Sequence, residues 1–328
     1  MMIRRKSAGN NPIRVAYISD PLEQFNIKKD STYMMMQAAQ KRRWQQYVLE
    51  MNDLRAEDGV AFGSASLLHL SGNRKQSWYE LETSKTFRLD EFDVILMRKD
   101  PPFNLEYIYA TYMLALAEQK GALVVNKPSA LRNWNEKFSI MRYPEFSPNT
   151  LITRSFTDIY QFLSRYRDII VKPLDGMGGE SVFRIRENDV NRNVILETMT
   201  CNQTRFIMAQ EYQPAIREGD KRILIFDGEP LEYLVARIPD PTDGRGNTAR
   251  GAQTQVKKLT LEEYDIAASI GKDLKAEGIL FAGIDMIGHA VTEINITSPT
   301  MIQQIYHKSG VNAADILMEI ISDKLTEK

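Results

Sequence analysis

The chain has 328 residues with 43 acidic against 42 basic side chains, and its net charge of −1 offers no electrostatic case for nucleic acid or an anionic membrane surface. One cysteine, Cys201, excludes an intrachain disulfide framework and suits a reducing compartment. No apolar run approaches the ~20 residues of a membrane span, and no apolar stretch follows Arg4, Arg5 and Lys6 as a secretory signal would require. Residues 1–12 are therefore expected to form a disordered basic tail on a cytoplasmic protein with a large core.

Ile13 to Ser19 reads as a buried strand, Ser31 to Arg42 as a helix opening at a Ser cap, and Tyr47 to Met51 as the next strand. Residues 59–77 show weaker periodicity. Val94 to Arg98, a helix from Leu105 to Lys120 closed by Gly121, and Ala122 to Val125 complete a βαβ unit, so a domain boundary is expected near Lys127. Strands dominate beyond it: Thr150 to Thr153, Asp168 to Lys172, Val182 to Arg186, Arg205 to Tyr212, Arg222 to Phe226, and Glu229 to Arg237 after an Asp227-Gly228 turn. Helices are expected from Leu261 to Gly278 and from Asn312 to Lys324. The alternation of strands and helices predicts an α/β architecture with a parallel sheet at the N-terminal end.

The C-terminal third carries the first chemical signal. In Val291-Thr292-Glu293-Ile294-Asn295, Glu293 and Asn295 stand two residues apart on a strand and present two hard oxygen donors on one face. Asp285 lies in a preceding apolar strand, Phe281 to Ile287, with Gly288-His289-Ala290 as the turn of a hairpin. A three-residue loop sets Asp285 directly across from Glu293, whereas a two-residue loop sends it to the other face. Such a donor set suits Mg2+, which binds one or two carboxylates and completes its shell with water and phosphate. Solvated acids on an edge hairpin are the plainer reading.

A phosphate-binding partner is harder to see, because neither a Walker P-loop nor a G-x-G-x-x-G turn occurs. What does occur is a strand, Asp168 to Lys172, followed by Pro173-Leu174-Asp175, then Gly176-Met177-Gly178-Gly179 and another strand. Glycines accept the positive φ that lets backbone N–H groups close around an anion. Lys172 adds a cation inside an apolar strand, and Asn126-Lys127-Pro128 repeats the pattern of a strand ending in Lys-Pro. A hairpin turn with a snorkelling lysine is the alternative for the glycine segment alone.

Taken in order, N-K-P at 126–128, V-K-P-L-D-G-M-G-G at 171–179, M-A-Q-E-Y at 208–212, G-D-K-R at 219–222 and T-E-I-N-I-T-S-P-T at 292–300 resemble the ATP-grasp ligases. D-P-L-E-Q-F-N-I-K-K-D-S at 20–31 and I-L-M-R-K-D-P-P-F at 95–103 are similar to the bacterial glutathione synthetases in particular. The resemblance runs from about Ile13 to the last helix. It implies an N-terminal substrate-binding α/β domain over 13–126, an ATP-grasp lid subdomain over 127–211, and a C-terminal subdomain over 212–328 holding a metal site and a mobile loop at 239–255. It also implies ATP-dependent joining of γ-glutamylcysteine and glycine through an acylphosphate, and a homo-oligomer, by resemblance a tetramer.

Roles follow from the same resemblance. Lys127 and Lys172 would contact the ATP phosphates and Gly176, Met177, Gly178 and Gly179 would cover them. Gln210, Glu211 and Tyr212 would read adenine and ribose, with Asp220 as a second ribose candidate. Asp285, Glu293 and Asn295 would hold Mg2+, with Mn2+ as a substitute. Arg222 is the first choice for stabilising the acylphosphate and tetrahedral oxyanion, with Arg237 second, and Arg245 and Asn247 would belong to the closing lid. Lys28 or Arg98 would pair with the glutamyl carboxylate, and Ser298 and Thr300 would reach glycine. The chain departs from the family late in the lid, where it reads Arg250-Gly251-Ala252-Gln253 in place of Gly-Gly-Arg. Two alternatives stay open: an ATP-grasp ligase for another acid and amine, and a catalytically silent ATP-binding regulator.

Overall fold

The computed structural model of the protein describes residues 12–71, 77–239 and 253–327. Three sheets carry these residues. The first holds β1 (Arg14–Ile18), β2 (Gln45–Leu49), β3 (Leu54–Glu57), β4 (Val60–Leu70), β5 (Tyr79–Leu81), β6 (Lys85–Arg88), β7 (Val94–Met97) and β8 (Leu123–Val125). Its order is β3-β4-β2-β1-β7-β8, with β5 and β6 also paired to β4. The β2-β1-β7-β8 core is parallel, as the βαβ pattern requires, while β3 to β6 add an antiparallel flank. Of that flank only β4 falls in the stretch whose alternation was too weak to read, although it keeps a strict alternation of burial from Val60 to Ala65.

Helix α1 (Ser31–Lys41) is capped one residue earlier than expected. Asp30, not Ser31, accepts from the Tyr33 N–H, and the Ser31 hydroxyl instead accepts from the backbone N–H of Ile302. Helix α2 (Leu105–Gln119), capped by Asn104, covers the other face of the sheet and packs on α3 (Pro128–Asn133).

The second sheet is antiparallel, β11-β10-β12-β9, from β9 (Thr150–Thr153), β10 (Asp168–Pro173), β11 (Phe183–Arg186) and β12 (Ile207–Glu211). Helices α4 (Phe156–Tyr166) and α5 (Arg192–Thr200) bury Ile159, Leu163, Leu196 and Met199 against it as a separate small core. The third sheet, β15-β14-β13-β16-β17, consists of β13 (Asp220–Phe226), β14 (Glu229–Ile238), β15 (Gln253–Lys258), β16 (Phe281–Ile287) and β17 (Ala290–Asn295). Helices α6 (Leu261–Ala276), α7 (Ile302–Ser309) and α8 (Ala313–Thr326) complete this part. Because Gln253–Lys258 is a strand paired to β14, the segment expected to be a loop over 239–255 ends before Gln253. Arg245, Asn247 and the Arg250-Gly251-Ala252 triplet lie outside the described residues, as do residues 1–11.

The first and third sheets share two apolar cores, one running from Ile95 and Leu114 to Ile284 and Ile294, the other from Val15 and Met35 to Leu317. Asn126, just past β8, stitches them together. Its amide N–H groups reach Phe281 O and Ile296 O, each at 2.7 Å, and its oxygen accepts from the Phe281 N–H at 3.0 Å. The ends of β8, β16 and β17 are thereby held at one point.

Candidate active site

The β16–β17 hairpin aligns its donors by an unexpected route. Ile287 pairs with Ala290, which leaves a two-residue turn, yet Asp285 still pairs with Glu293 because the register shifts between Asp285 and Met286. Thr292 is the extra residue of that bulge, and it is buried with its hydroxyl 3.3 Å from Asp285 O. Without the shift a two-residue turn would send Glu293 to the opposite face. Asn295 adjoins them, its amide 3.3 Å from Asp285 Oδ2.

Facing these oxygens are four buried cations. Arg222, on the neighbouring strand and paired in register with Asp285, binds both its carboxylate oxygens, with the Nη2 to Oδ2 contact at 2.8 Å. Arg237 reaches Asp285 Oδ2 at 2.9 Å and Asp220 Oδ2 at 2.5 Å. Lys137 lies 2.8 Å from Glu293 Oε1 and donates to Gly176 O. Lys172 donates to Thr292 O at 3.2 Å. Arg222 fits only because Gly283 carries no side chain: a Cβ there would lie 2.8 Å from Arg222 Cδ.

The charges shape one another. Burial would raise Asp285, but Arg222 and Arg237 hold it well below the ordinary carboxylate range. Lys137 lowers Glu293 in the same way, and Glu293 in turn raises Lys137, each against the cost of burial. Lys172 is pushed down to about 8 by burial, which Glu293 opposes and the nearby Lys137 reinforces. Asp220 is pushed up to about 7 by burial and by Asp285, against Arg237. Its Oδ1 and the Nε of Arg237 are buried without a partner, so the cluster has polar capacity unspent by the protein.

Lys127 is a correction. It is exposed, its stem lies over Gly278 at the end of α6, and it stands apart from the cluster. Lys137 occupies the place expected for it. Sequence reasoning missed Lys137 because Asn135-Glu136-Lys137 reads as an ordinary charged loop with no periodicity. Asp220, the second ribose candidate, is turned inward onto Arg237.

The glycine segment has the conformation its composition suggests. Gly178 and Gly179 have φ of +64° and +72°, and Met177 projects outward. At the sheet junction Gln210 is buried with its amide on Thr150 Oγ1, Glu211 accepts from the Asn149 amide at 2.8 Å, and Arg184 lies over the Tyr212 ring at 3.4 Å. Arg98 and Ser298 do come together: Arg98 donates to Thr32 Oγ1 and Pro299 O, and Ser298 donates to Arg98 O. Lys28 is exposed on the 26–30 turn, which Gln303 ties to α7 through Ile27 O and Asp30 O.

Asp285, Glu293 and Asn295 supply three adjacent hard oxygens, which fits Mg2+. Among the described residues no group of three or more His, Cys, Asp or Glu side chains is placed to hold a metal ion, and the third oxygen here is that of the Asn295 amide.

An antiparallel four-stranded sheet with a glycine loop, facing a second sheet that carries clustered acids and arginines, defines the ATP-grasp class. Solved structures agree on the fold: D-cycloserine synthetase DcsG superposes with a TM-score of 0.69 at 12% identity, over 95% of this chain and 99% of that one. D-alanyl-alanine synthetase A from Vibrio cholerae gives 0.61 at 12% identity, over 97% and 99%. Two family models then match in sequence, the prokaryotic glutathione synthetase N-terminal domain over residues 13–132 and its ATP-grasp domain over 136–310. The chain belongs to the prokaryotic glutathione synthetase family. Glutathione synthetase of Vibrio vulnificus (strain YJ016) is 45% identical over 313 residues, 95% of this chain and 98% of the relative. That of Escherichia coli (strain K12) is 44% identical over 316 residues, 96% and 100%.

Proposed function

We propose that the protein joins γ-glutamylcysteine to glycine with ATP, forming glutathione, ADP and phosphate. Family membership along nearly the whole chain supports the substrates, and the buried Arg222–Asp285 pair beside Glu293 is the observation that supports the chemistry. The cysteinyl carboxylate attacks the γ-phosphorus and ADP departs, leaving an acylphosphate. The glycine amine then adds to the acyl carbon, and phosphate leaves with the C–O bond electrons.

Catalysis of phosphoryl transfer is mainly positioning and neutralisation of charge. Lys137 and Lys172 would hold phosphate oxygens, and the backbone of Gly176, Met177, Gly178 and Gly179 would close over them. Gln210, Glu211 and Tyr212 would line the adenine and ribose end. Arg222 would stabilise charge on the acyl group, with Arg237 keeping Asp285 ionised. Mg2+ held by Asp285, Glu293 and Asn295, with Mn2+ as a substitute, would supply positive charge against the ATP phosphates. Arg98, Ser298 and Thr300 would face the substrate. A lid including Arg245 and Asn247 would exclude water, which otherwise hydrolyses the acylphosphate.

By the same reading the chain divides into a substrate-binding domain over 13–126 and two ATP-grasp subdomains meeting near 211, works in the cytoplasm, and assembles as a homotetramer. Phosphate release from the purified protein with Mg-ATP, γ-glutamylcysteine and glycine tests the activity. It should require both substrates and match glutathione one to one. Phosphate release indifferent to glycine would overturn the reading.

A further inference from the structure

The segment between α3 and β9 that carries Lys137 holds more of the site than the lysine alone. Strand β17 ends its sheet, paired to β16 on one side, so the N–H groups on its outer edge need acceptors from elsewhere. Around Asn295 they come from Glu136. Its backbone carbonyl accepts from the Ile294 N–H at 2.8 Å, and its Oε1 accepts from the N–H groups of Ile296 and Thr297, both at 2.9 Å, and from the Thr297 hydroxyl at 2.8 Å. Asn295 lies between these bonds, so its backbone is fixed on both sides. One residue further on, Lys137 takes the Glu293 carboxylate at 2.8 Å. Residues 136 and 137 thereby hold the chain from Glu293 to Thr297.

The same segment also holds the glycine segment, which belongs to the second sheet. Asn135 Nδ2 donates to Leu174 O at 3.0 Å and Lys137 donates to Gly176 O. Asn135 Oδ1 accepts from the N–H groups of Lys137 at 3.1 Å and Phe138 at 2.8 Å, which fixes the turn itself. Three consecutive residues thus tie the strand bearing the metal donors to the loop expected over the phosphates. A plain cap on an edge strand would need no charge. Burial pushes the Glu136 carboxyl up and the nearby Glu293 adds to this, while the Thr297 bonds and Lys137 oppose it. The chain keeps an acid here against burial and a like charge, where a neutral acceptor would cap the edge at lower cost.

We propose that Glu136 is a positioning residue for the nucleotide and its metal: it sets Glu293 and Asn295 through the outer edge of β17, and with Asn135 and Lys137 it makes that edge and the glycine segment move as one body. Glu136 acts through these neighbours and not on the reacting atoms. Partners that orient a metal's ligands govern affinity nearly as much as the ligands themselves. The assignment rests on the Mg-ATP part of the proposed reaction and is independent of which acid and amine are joined.

Titration calorimetry with a non-hydrolysable ATP analogue tests this without turnover, by comparing affinity for the analogue alone with affinity for its Mn2+ complex. The native protein should prefer the Mn2+ complex. Glu136→Ala removes the side-chain acceptor and should lose about tenfold or more of that preference, with the KM values for γ-glutamylcysteine and glycine kept within about twofold. Glu136→Gln keeps an oxygen for the Ile296 and Thr297 N–H groups and should recover the preference to within about threefold of native. Thr297→Val removes one of the three bonds and leaves the backbone intact, so it should lower the preference roughly threefold even if the alanine variant does not fold. A folded Glu136→Ala that melts at lower temperature but keeps the native preference would reduce Glu136 to a cap on an edge strand and overturn the proposal, as would an unchanged preference in Thr297→Val. No preference for the Mn2+ complex in the native protein would instead overturn the Mg-ATP reading of the site.

Discussion

At the scale of single residues, the site is a network of buried charges whose members depend on one another. Arg222 is the clearest case, since its planar fork meets the Asp285 carboxylate through two nitrogens. Lysine keeps the charge and loses the fork, so Arg222→Lys should lower kcat by ~10²-fold or more with the fold intact by circular dichroism. A fall of less than threefold would remove Arg222 from the chemistry. Gly283→Ala tests the same geometry from behind, because the new Cβ would sit 2.8 Å from Arg222 Cδ. It should reduce kcat at least tenfold while costing about 1–3 kcal/mol of stability, measured by urea unfolding. Gly283 passed unread in the sequence, although an isolated glycine in an apolar strand is a mark of close backbone approach. Lys137 and Glu136 were not legible, because their burial is created by chain segments more than 100 residues away in sequence.

Lys172 gives a pH dependence whose sign follows from its lowered pKa. Between about 8 and its unfolded value near ~10.4 the unfolded chain holds the proton more firmly, so the ligand-free protein gains stability as pH rises through that window. ATP phosphates reverse the balance by favouring the charged amine. Nucleotide binding at pH 9 should take up close to one proton, and affinity should weaken as pH rises past about 8. Titration calorimetry in two buffers of different ionisation enthalpy reads this directly, and Lys172→Met should abolish the uptake. Binding without proton uptake in the unmutated protein would remove Lys172 from the phosphate site.

At the scale of elements, the hairpin shows what alternation can and cannot foretell. The pairing of Asp285 with Glu293 was legible from spacing, but only if the turn had three residues. The chain instead makes a two-residue turn and recovers the pairing with a bulge at Thr292. Nothing in a threonine announces a bulge, since the choice is settled by burying Thr292 and by its carbonyl accepting from Lys172. The βαβ core was legible from its long apolar runs. Strand β15 was not, because Gln253-Thr254-Gln255-Val256-Lys257-Lys258 has no apolar pattern and is held by its pairing to β14. Asn126 joins elements rather than forming one. Asn126→Ala would strand one buried N–H and two buried carbonyls, a loss of about 3 kcal/mol or more. Its thermal midpoint should fall by several degrees, and an unchanged midpoint would show that this joint carries no load.

At the scale of the whole molecule, four cations (Arg222, Arg237, Lys137, Lys172) stand against four carboxylates (Asp285, Asp220, Glu293, Glu136), so the cluster is near balance. ATP alone would add several negative charges to a buried site, and a divalent cation alone would add positive ones. Each should therefore bind better with the other. ATP and Mg2+ together, at a hundredfold excess over Kd, should stabilise the protein by about 2.7 kcal/mol, whereas either alone should shift the melting curve by less than a third as much. Equal shifts with and without Mg2+ would contradict the balance.

The acylphosphate is the centre of the account, because it links the phosphate-binding sheet to the arginine that faces the acyl group. γ-Glutamylcysteine labelled with ¹⁸O in its cysteinyl carboxylate tests it most directly. Attack of that carboxylate on the γ-phosphorus and later cleavage of the C–O bond must carry one labelled oxygen into each phosphate released, with the other retained in the new amide. Mass spectrometry of the phosphate should therefore find one ¹⁸O per molecule made with glutathione. Unlabelled phosphate accompanying glutathione that keeps both labelled oxygens would contradict it.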